Sequence, residues 1–139
     1  MSDKNVVMAG GAPPPVGAYP HARRFGNLLF LSGVGPRQPG TTEIPGVTRG
    51  MDGRVVAHDI RVQTRATIEN VKRILEAAGS NISKVLDVTV FLTDMAGDFA
   101  GYNEVWAEYF GSVQATRTTI GVTALPTPIA VELKVIAEA

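Results

Sequence analysis

A chain of 139 residues, 45% of them hydrophobic, is one domain with ample material for a core. Thirteen basic and thirteen acidic side chains cancel, which leaves no electrostatic footprint for nucleic acid or an anionic membrane. There is no cysteine and there are only two histidines, His21 and His58, which excludes disulfides, thiol catalysis and a metal centre built on histidine alone.

The first residues, MSDKNVVMAGGAPPP, hold no apolar run of signal-peptide length. No later segment is long enough to cross a bilayer, so the expectation is a cytoplasmic protein. Residues 1–16, rich in Gly, Ala and Pro, are expected to be a flexible lead-in to a single domain. Tyr19 to Arg24 and Leu28 to Gly33 read as a hairpin turned by Gly26-Asn27. The unbroken apolar run Leu28-Leu29-Phe30-Leu31 predicts a strand covered on both faces. It runs into Ser32-Gly33, where a glycine either ends the strand or lets a ligand approach the backbone.

Residues 34–58, rich in Gly and Pro, predict a long loop with a short strand near Arg54 to Ala57. Asp59 suits the cap of a helix whose Ile68, Val71, Leu75 and Ala78 recur at helical spacing, with Gly79 as its stop. The stretch from Val85 to Thr93 alternates as a strand does. It sets Leu86, Val88, Val90 and Leu92 against Asp87, Thr89, Phe91 and Thr93. Asp98 is the expected cap of a second helix, with an apolar stripe of Phe99, Tyr102, Trp106 and Tyr109 or Phe110, ending at Gly111.

The stretch TRTTIGVTALPTPIAVE, Thr116 to Glu132, reads as two strands joined by a proline-containing turn. Ile120 and Val122 want a core, which leaves Arg117 and Thr119 on the opposite face, with Glu132 returning near them if the strands lie close. A guanidinium grips a carboxylate in a two-pronged geometry, and a nearby carboxyl group can move protons. The pair suits a small acid with a reactive centre beside its carboxylate. The same spacing also fits a cross-strand ion pair on a solvated face, with Lys134 as the partner of Glu132. The expected architecture is α+β: a mixed sheet with two helices on one face.

Five segments in order carry a resemblance that covers about residues 17 to 139. They are GAYPHARRFGNLLFLSG, QTRATIENVKRILEAAG, VLDVTVFLTDM, GDFAGYNEVWAEYF, and RTTIGVTALP followed by VELKVIA. Together they resemble the RidA family of enamine/imine deaminases. The resemblance implies a chorismate mutase-like fold and a homotrimer, or a multiple of one, with an inner barrel of sheets. It also implies sites between subunits, a small carboxylate as substrate, and no metal or cofactor.

By that resemblance Arg117 grips the substrate carboxylate, Glu132 serves the leaving nitrogen and its attacking water, and Tyr19 is the site tyrosine. Gly33 supplies a backbone donor beside Ser32, and Asn103 stands in the second helix. The family's G-P-Y-S motif is Gly17-Ala18-Tyr19-Pro20 here, followed by His21. Pro20 removes a backbone donor. Tyr19 also fits an ordinary interface tyrosine, and Asn103 a capping residue. The segments AYPHARRFGNLLFLSG and DIRVQTRATIEN, with Arg37, resemble the 2-aminomuconate deaminases of aromatic catabolism more closely than the broad-range members. These convert a six-carbon diacid to 4-oxalocrotonate and ammonia. A second carboxylate needs a second cation, for which Arg37, Arg24 and His21 are candidates. A broad-range deaminase of simpler imines, or a non-catalytic binding protein of the same fold, remains open beside this.

Overall fold

The computed structural model describes residues 4–139. In chain order these form β1 (Val6–Val7), β2 (Ala22–Phe25), β3 (Leu28–Leu31), β4 (Val47–Arg49), β5 (Val55–His58), α1 (Ile60–Ala77), a 3-10 turn (Ile82–Lys84), β6 (Val85–Leu92), α2 (Met95–Phe110), β7 (Thr116–Gly121) and β8 (Val131–Glu138). The main sheet runs β1-β2-β3-β8-β6-β7, with β4 and β5 pairing separately as a hairpin. Among the described residues only β6 and β7 pair in parallel; α2 makes the crossover between them, as parallel pairing requires. The α+β expectation, two helices on one face of a mixed sheet, is met.

The core lies between that face and the helices, with α1 over β8 and α2 against β6. Leu29 and Leu31 of β3, Val88, Val90 and Leu92 of β6, and Val131, Leu133 and Val135 of β8 are fully buried, as are Ile68, Val71 and Leu75 of α1. Burying each such side chain stabilises the fold by about 1.5–3 kcal/mol relative to exposure. Asp59 caps α1 as expected, accepting from the N–H groups of Arg61 and Val62. Gly79 follows the helix at φ +83°, a conformation that disfavours any side chain. The side chain of Gln63, on α1, accepts from the Ala130 N–H at 2.9 Å and so fixes where β8 begins.

Several expectations give way. The apolar run of β3 is covered on one face only: Phe30 is 37% exposed. A register shift between Val85 and Asp87 turns Leu86 out of the face that Val88, Val90 and Leu92 share. The long loop folds its second half into the β4–β5 hairpin. α2 begins one turn earlier than expected, capped by Asp94, which accepts from the Gly97 N–H. Asp98 is buried instead and accepts from His58 Nε2 at 2.7 Å, tying α2 to the end of β5.

Part of the expected lead-in is instead held against the fold. Val6 and Val7 pair with β2, and Ala9 and Ala12 are buried. His21 holds this segment with both ring nitrogens: Nδ1 accepts from the Ala9 N–H at 2.9 Å, and Nε2 bonds to the Pro13 carbonyl at 2.7 Å. Residues 1–3 of the expected lead-in lie outside the described residues.

Candidate active site

Glu132 stands on the sheet face opposite the helices. Along β8, Val131, Leu133 and Val135 point into the core, while Glu132, Lys134 and Ile136 point away. The carboxyl group lies against Gly33: a Cβ placed there would sit 2.9 Å from Glu132 Cδ, so this position has no room for a side chain. Reciprocal backbone bonds of 2.9 Å between Val34 and Leu133 clamp the two segments together beside it. Among the described residues the Glu132 carboxyl has no hydrogen-bond or ion-pair partner, and its half-buried position raises its pKa above the usual carboxylate value. Lys134 does not pair with it, because the ammonium donates to the Leu31 carbonyl. That removes the ion-pair reading of this face. The Gly33 N–H also makes no intrachain hydrogen bond among the described residues, so a free donor and an uncompensated acid stand side by side.

Next to them is a cavity of about 40 Å³ lined by Tyr19, His21, Ser32, Gly33 and Arg37, with Pro13 and Pro15 from the N-terminal segment as its wall. That volume holds a few waters or a small ligand group. Tyr19 is 41% exposed, and its hydroxyl accepts from the Val16 N–H at 3.3 Å. The Ser32 hydroxyl donates to the Pro20 carbonyl at 2.8 Å and so holds the tyrosine loop. Arg37 lends Nη2 to the Pro14 carbonyl at 2.7 Å, which leaves its other N–H groups at the cavity edge. Two of the three candidate cations for a second carboxylate are otherwise employed. Arg24 does not line the cavity and instead donates Nη2 to the Ala78 carbonyl at 2.7 Å, where a cation suits the end of α1. His21 is buried and uses both nitrogens on the backbone.

The second group of residues is built on β7 and α2. Arg117 lays its guanidinium over three rings, at 5.1 Å from the centroids of Tyr102 and Trp106 and 5.8 Å from that of Phe99. Such cation–π contacts are worth from about 0.5 to 2 kcal/mol each, more as water is excluded. Nη1 donates to Asn103 Oδ1 at 2.8 Å, so Asn103 orients the guanidinium and caps no backbone group. Tyr102 and Thr119 share a hydroxyl–hydroxyl bond of 2.9 Å. Burial raises the Tyr102 pKa, against the opposing pull of the Thr119 bond and the Arg117 charge.

Within one chain these two groups do not meet, contrary to the expected shared face. Strand β6 lies between β7 and β8: Phe91 faces Ile120 on one side and Glu132 on the other, and Val88 faces Arg117. Arg117 is three positions from Ile120, so it points to the opposite face of the sheet from Glu132. Ile120, expected in the core, is 42% exposed on the open face. The aromatic cradle of α2 and the Tyr102–Thr119 bond set this phase. The cradle role of Phe99 and Trp106 was not foreseen; its signal is the aromatic spacing on α2, which a core stripe shares. Among the described residues no three His, Asp or Glu side chains come together to hold a metal ion, and no helix is long and apolar enough to cross a membrane.

The fold and these two separated groups define a small two-layer α+β protein with one candidate group on its open sheet face and the other between its edge strand and α2. The chain belongs to the RidA (YjgF) family, whose sequence model, described as Endoribonuclease L-PSP, matches residues 9–139. It is 42% identical over 134 residues to a RutC family protein of Pyrococcus horikoshii, covering 96% of this chain and 97% of that one. It is 35% identical over 137 residues to the putative reactive intermediate deaminase TdcF of Escherichia coli, covering 96% of each. A crystal structure of E. coli TdcF with bound serine superposes with a TM-score of 0.81 at 34% identity, covering 96% of this chain and 98% of that one. A putative endoribonuclease from Thermotoga maritima superposes at 0.83 with 34% identity, covering 100% and 98%.

Proposed function

We propose that the protein hydrolyses the C=N bond of a small enamine or imine carboxylic acid and releases ammonia. The observation that carries this reading is the Glu132 carboxyl: unpartnered, raised in pKa by burial, and set against the free Gly33 N–H. A carboxyl group tuned upward can deliver and recover a proton nearer neutral pH. An enamine acid takes a proton at carbon and becomes an imine. Water, relieved of a proton by Glu132, then adds to the C=N carbon. The nitrogen leaves as ammonia and a C=O bond remains. Arg117, held rigid by its rings and Asn103, grips the substrate carboxylate, and Tyr19 closes the cavity. Positioning and one proton carrier suffice for this chemistry. TdcF, a relative, is named as a reactive intermediate deaminase, which supports the same class.

Because Arg117 and Glu132 face opposite ways in one chain, the complete site draws them from neighbouring copies in a homotrimer. The open sheet face, which carries Phe30, Phe91, Ile120 and Ile136, is the surface that such an assembly covers.

At the finer level the substrate we propose is 2-aminomuconate. Arg37 lines the Gly33 cavity and has N–H groups to spare for the distal carboxylate of a diacid. The second reading, a broad-range deaminase of monocarboxylic imines, is favoured by the relationship to TdcF. The deciding experiment follows turnover of 2-aminomuconate by its ultraviolet absorbance, beside an imine freshly made from a monocarboxylic amino acid, with ammonia measured in both. Preference for the diacid supports the first reading and preference for the monoacid the second. Ammonia from neither would refute the deaminase assignment.

A further inference from the structure

A second concavity lies on the helix side of the molecule, away from the open sheet face. Segment 36–45 stands off α1 and encloses a groove of about 360 Å³, within the range of small-molecule sites. Val62 and Ala66 form its floor, and Pro36, Pro39 and Pro45 line the facing wall. The wall is fixed before any ligand arrives. Asn70, 1% exposed, donates Nδ2 to the carbonyls of Gly35 at 2.9 Å and Arg37 at 2.8 Å. Farther along, the Gln38 N–H bonds to the Glu43 carbonyl at 2.9 Å and the Asp59 N–H to the Gly46 carbonyl at 2.6 Å. A preformed wall keeps the ordering cost of binding small.

The charges of the groove do not cancel. Arg61 and Arg65 are paired with Glu104 and Glu108 of α2 at 2.9 and 2.8 Å. Arg73 and Arg37 bond only to neutral oxygens, Asn70 Oδ1 and the Pro14 carbonyl, and neither joins a salt bridge among the described residues. The one carboxylate in the lining among the described residues, Glu69, faces the Tyr109 hydroxyl, and their hydrogen bond adds to burial in raising the Tyr109 pKa. The groove therefore offers uncompensated guanidinium over a hydrocarbon floor. A guanidinium fork matches a carboxylate, and the apolar floor rewards an anion with an alkyl body over an inorganic one.

We infer that this groove is a binding site for a small organic carboxylate, with Arg73 holding the carboxylate and the alkyl body lying on Val62, Ala66 and the proline wall. Association through the open sheet face leaves the groove accessible. The inference does not depend on the deaminase reading.

The test is an NMR titration of the isotope-labelled full chain with hexanoate, with inorganic phosphate in parallel. Saturable shifts are expected in segments 36–45 and 62–73, with phosphate markedly weaker. Arg73→Ala should weaken hexanoate by about tenfold, the factor that 1.4 kcal/mol makes. Ala66→Trp, which fills the groove, should abolish binding; spectra unchanged elsewhere would show that both variants fold. Shifts confined to Gly33, Glu132 and Arg117 would place the carboxylate in the candidate active site and overturn the groove site while leaving the deaminase reading intact. Shifts that survive both variants, or phosphate binding as well as hexanoate, would also overturn it.

Discussion

Arg117 and Glu132 point to opposite faces of one chain with β6 between them, so a site that needs both is completed by a neighbour. Two inactive variants should then repair each other. On the proposed reading Arg117→Ala removes the cation that holds the substrate carboxylate; truncating one partner of a buried charged pair costs about 2–5 kcal/mol, or roughly 30- to 5,000-fold. Glu132→Gln keeps the shape and loses the proton carrier, a loss of about 10²–10⁴-fold. Each variant alone should be nearly inactive. In mixed oligomers every proposed site would take Arg117 from one chain and Glu132 from the next. Equal random assortment gives about one site in four both native groups, since an isologous or cyclic contact pairs one patch from each copy. Co-expressing the two variants in equal amounts should therefore restore about a quarter of wild-type ammonia release per chain. Native mass spectrometry with differently tagged chains confirms that mixed oligomers formed. Mixed oligomers no more active than the parental average would place both groups in one chain's site and refute the argument from sheet parity.

Other outcomes follow from single contacts. Gly33→Ala puts a methyl group 2.9 Å from Glu132 Cδ, so turnover should fall at least about tenfold while the melting temperature changes little; undiminished kcat would mean the carboxyl works from another position. Arg37→Ala should lower kcat/KM for 2-aminomuconate about tenfold, the effect of a partly exposed pair of about 1–2 kcal/mol, and spare a monocarboxylic imine; equal losses on both would make Arg37 a support for the Pro14 wall. Within the single chain the raised Glu132 pKa also sets a pH dependence of stability. The folded state holds this proton more tightly than the unfolded one, so stability is fully present below the unfolded pKa and declines as pH rises through the folded value. Thermal melts of Glu132→Gln should lose that decline, leaving the variant the more stable form at neutral pH and no better in acid; parallel wild-type and variant curves would contradict it.

Periodicity and end signals made much of the fold legible. Asp59, the Ile68-Val71-Leu75 stripe and Gly79 mark α1 within a residue or two, because capping and amphipathic burial are local. The alternation of Val88, Val90 and Leu92 likewise marks β6. Less legible was whatever depends on distant partners. Pro13 to Pro15 look like a tether in sequence, yet they form a cavity wall because His21 and Arg37 hold their carbonyls. Nothing near either residue announces that bond. Asp98 looks like a cap, and it is claimed by His58 from 40 positions away.

The phase of β7 is the instructive case for the site. Alternation from Arg117 to Gly121 is real, and it divides the strand into two sets. It does not say which set faces the helices. Hydrophobicity assigns Ile120 inward, and for an isolated domain that choice costs least. The chain instead spends the inward face on a charged residue. Three rings on α2 and Asn103 accept the guanidinium there, and Thr119 satisfies the buried Tyr102 hydroxyl. The displaced apolar surface, Ile120 with Phe91 and Phe30, goes to the open face beside Glu132. An exposed apolar face of that kind marks an interaction site, and the acid it carries lacks, within one chain, the cation that the proposed reaction needs. One exchange of faces on a single strand therefore holds Arg117 rigid and leaves the surface that would bring a second chain's Arg117 to Glu132.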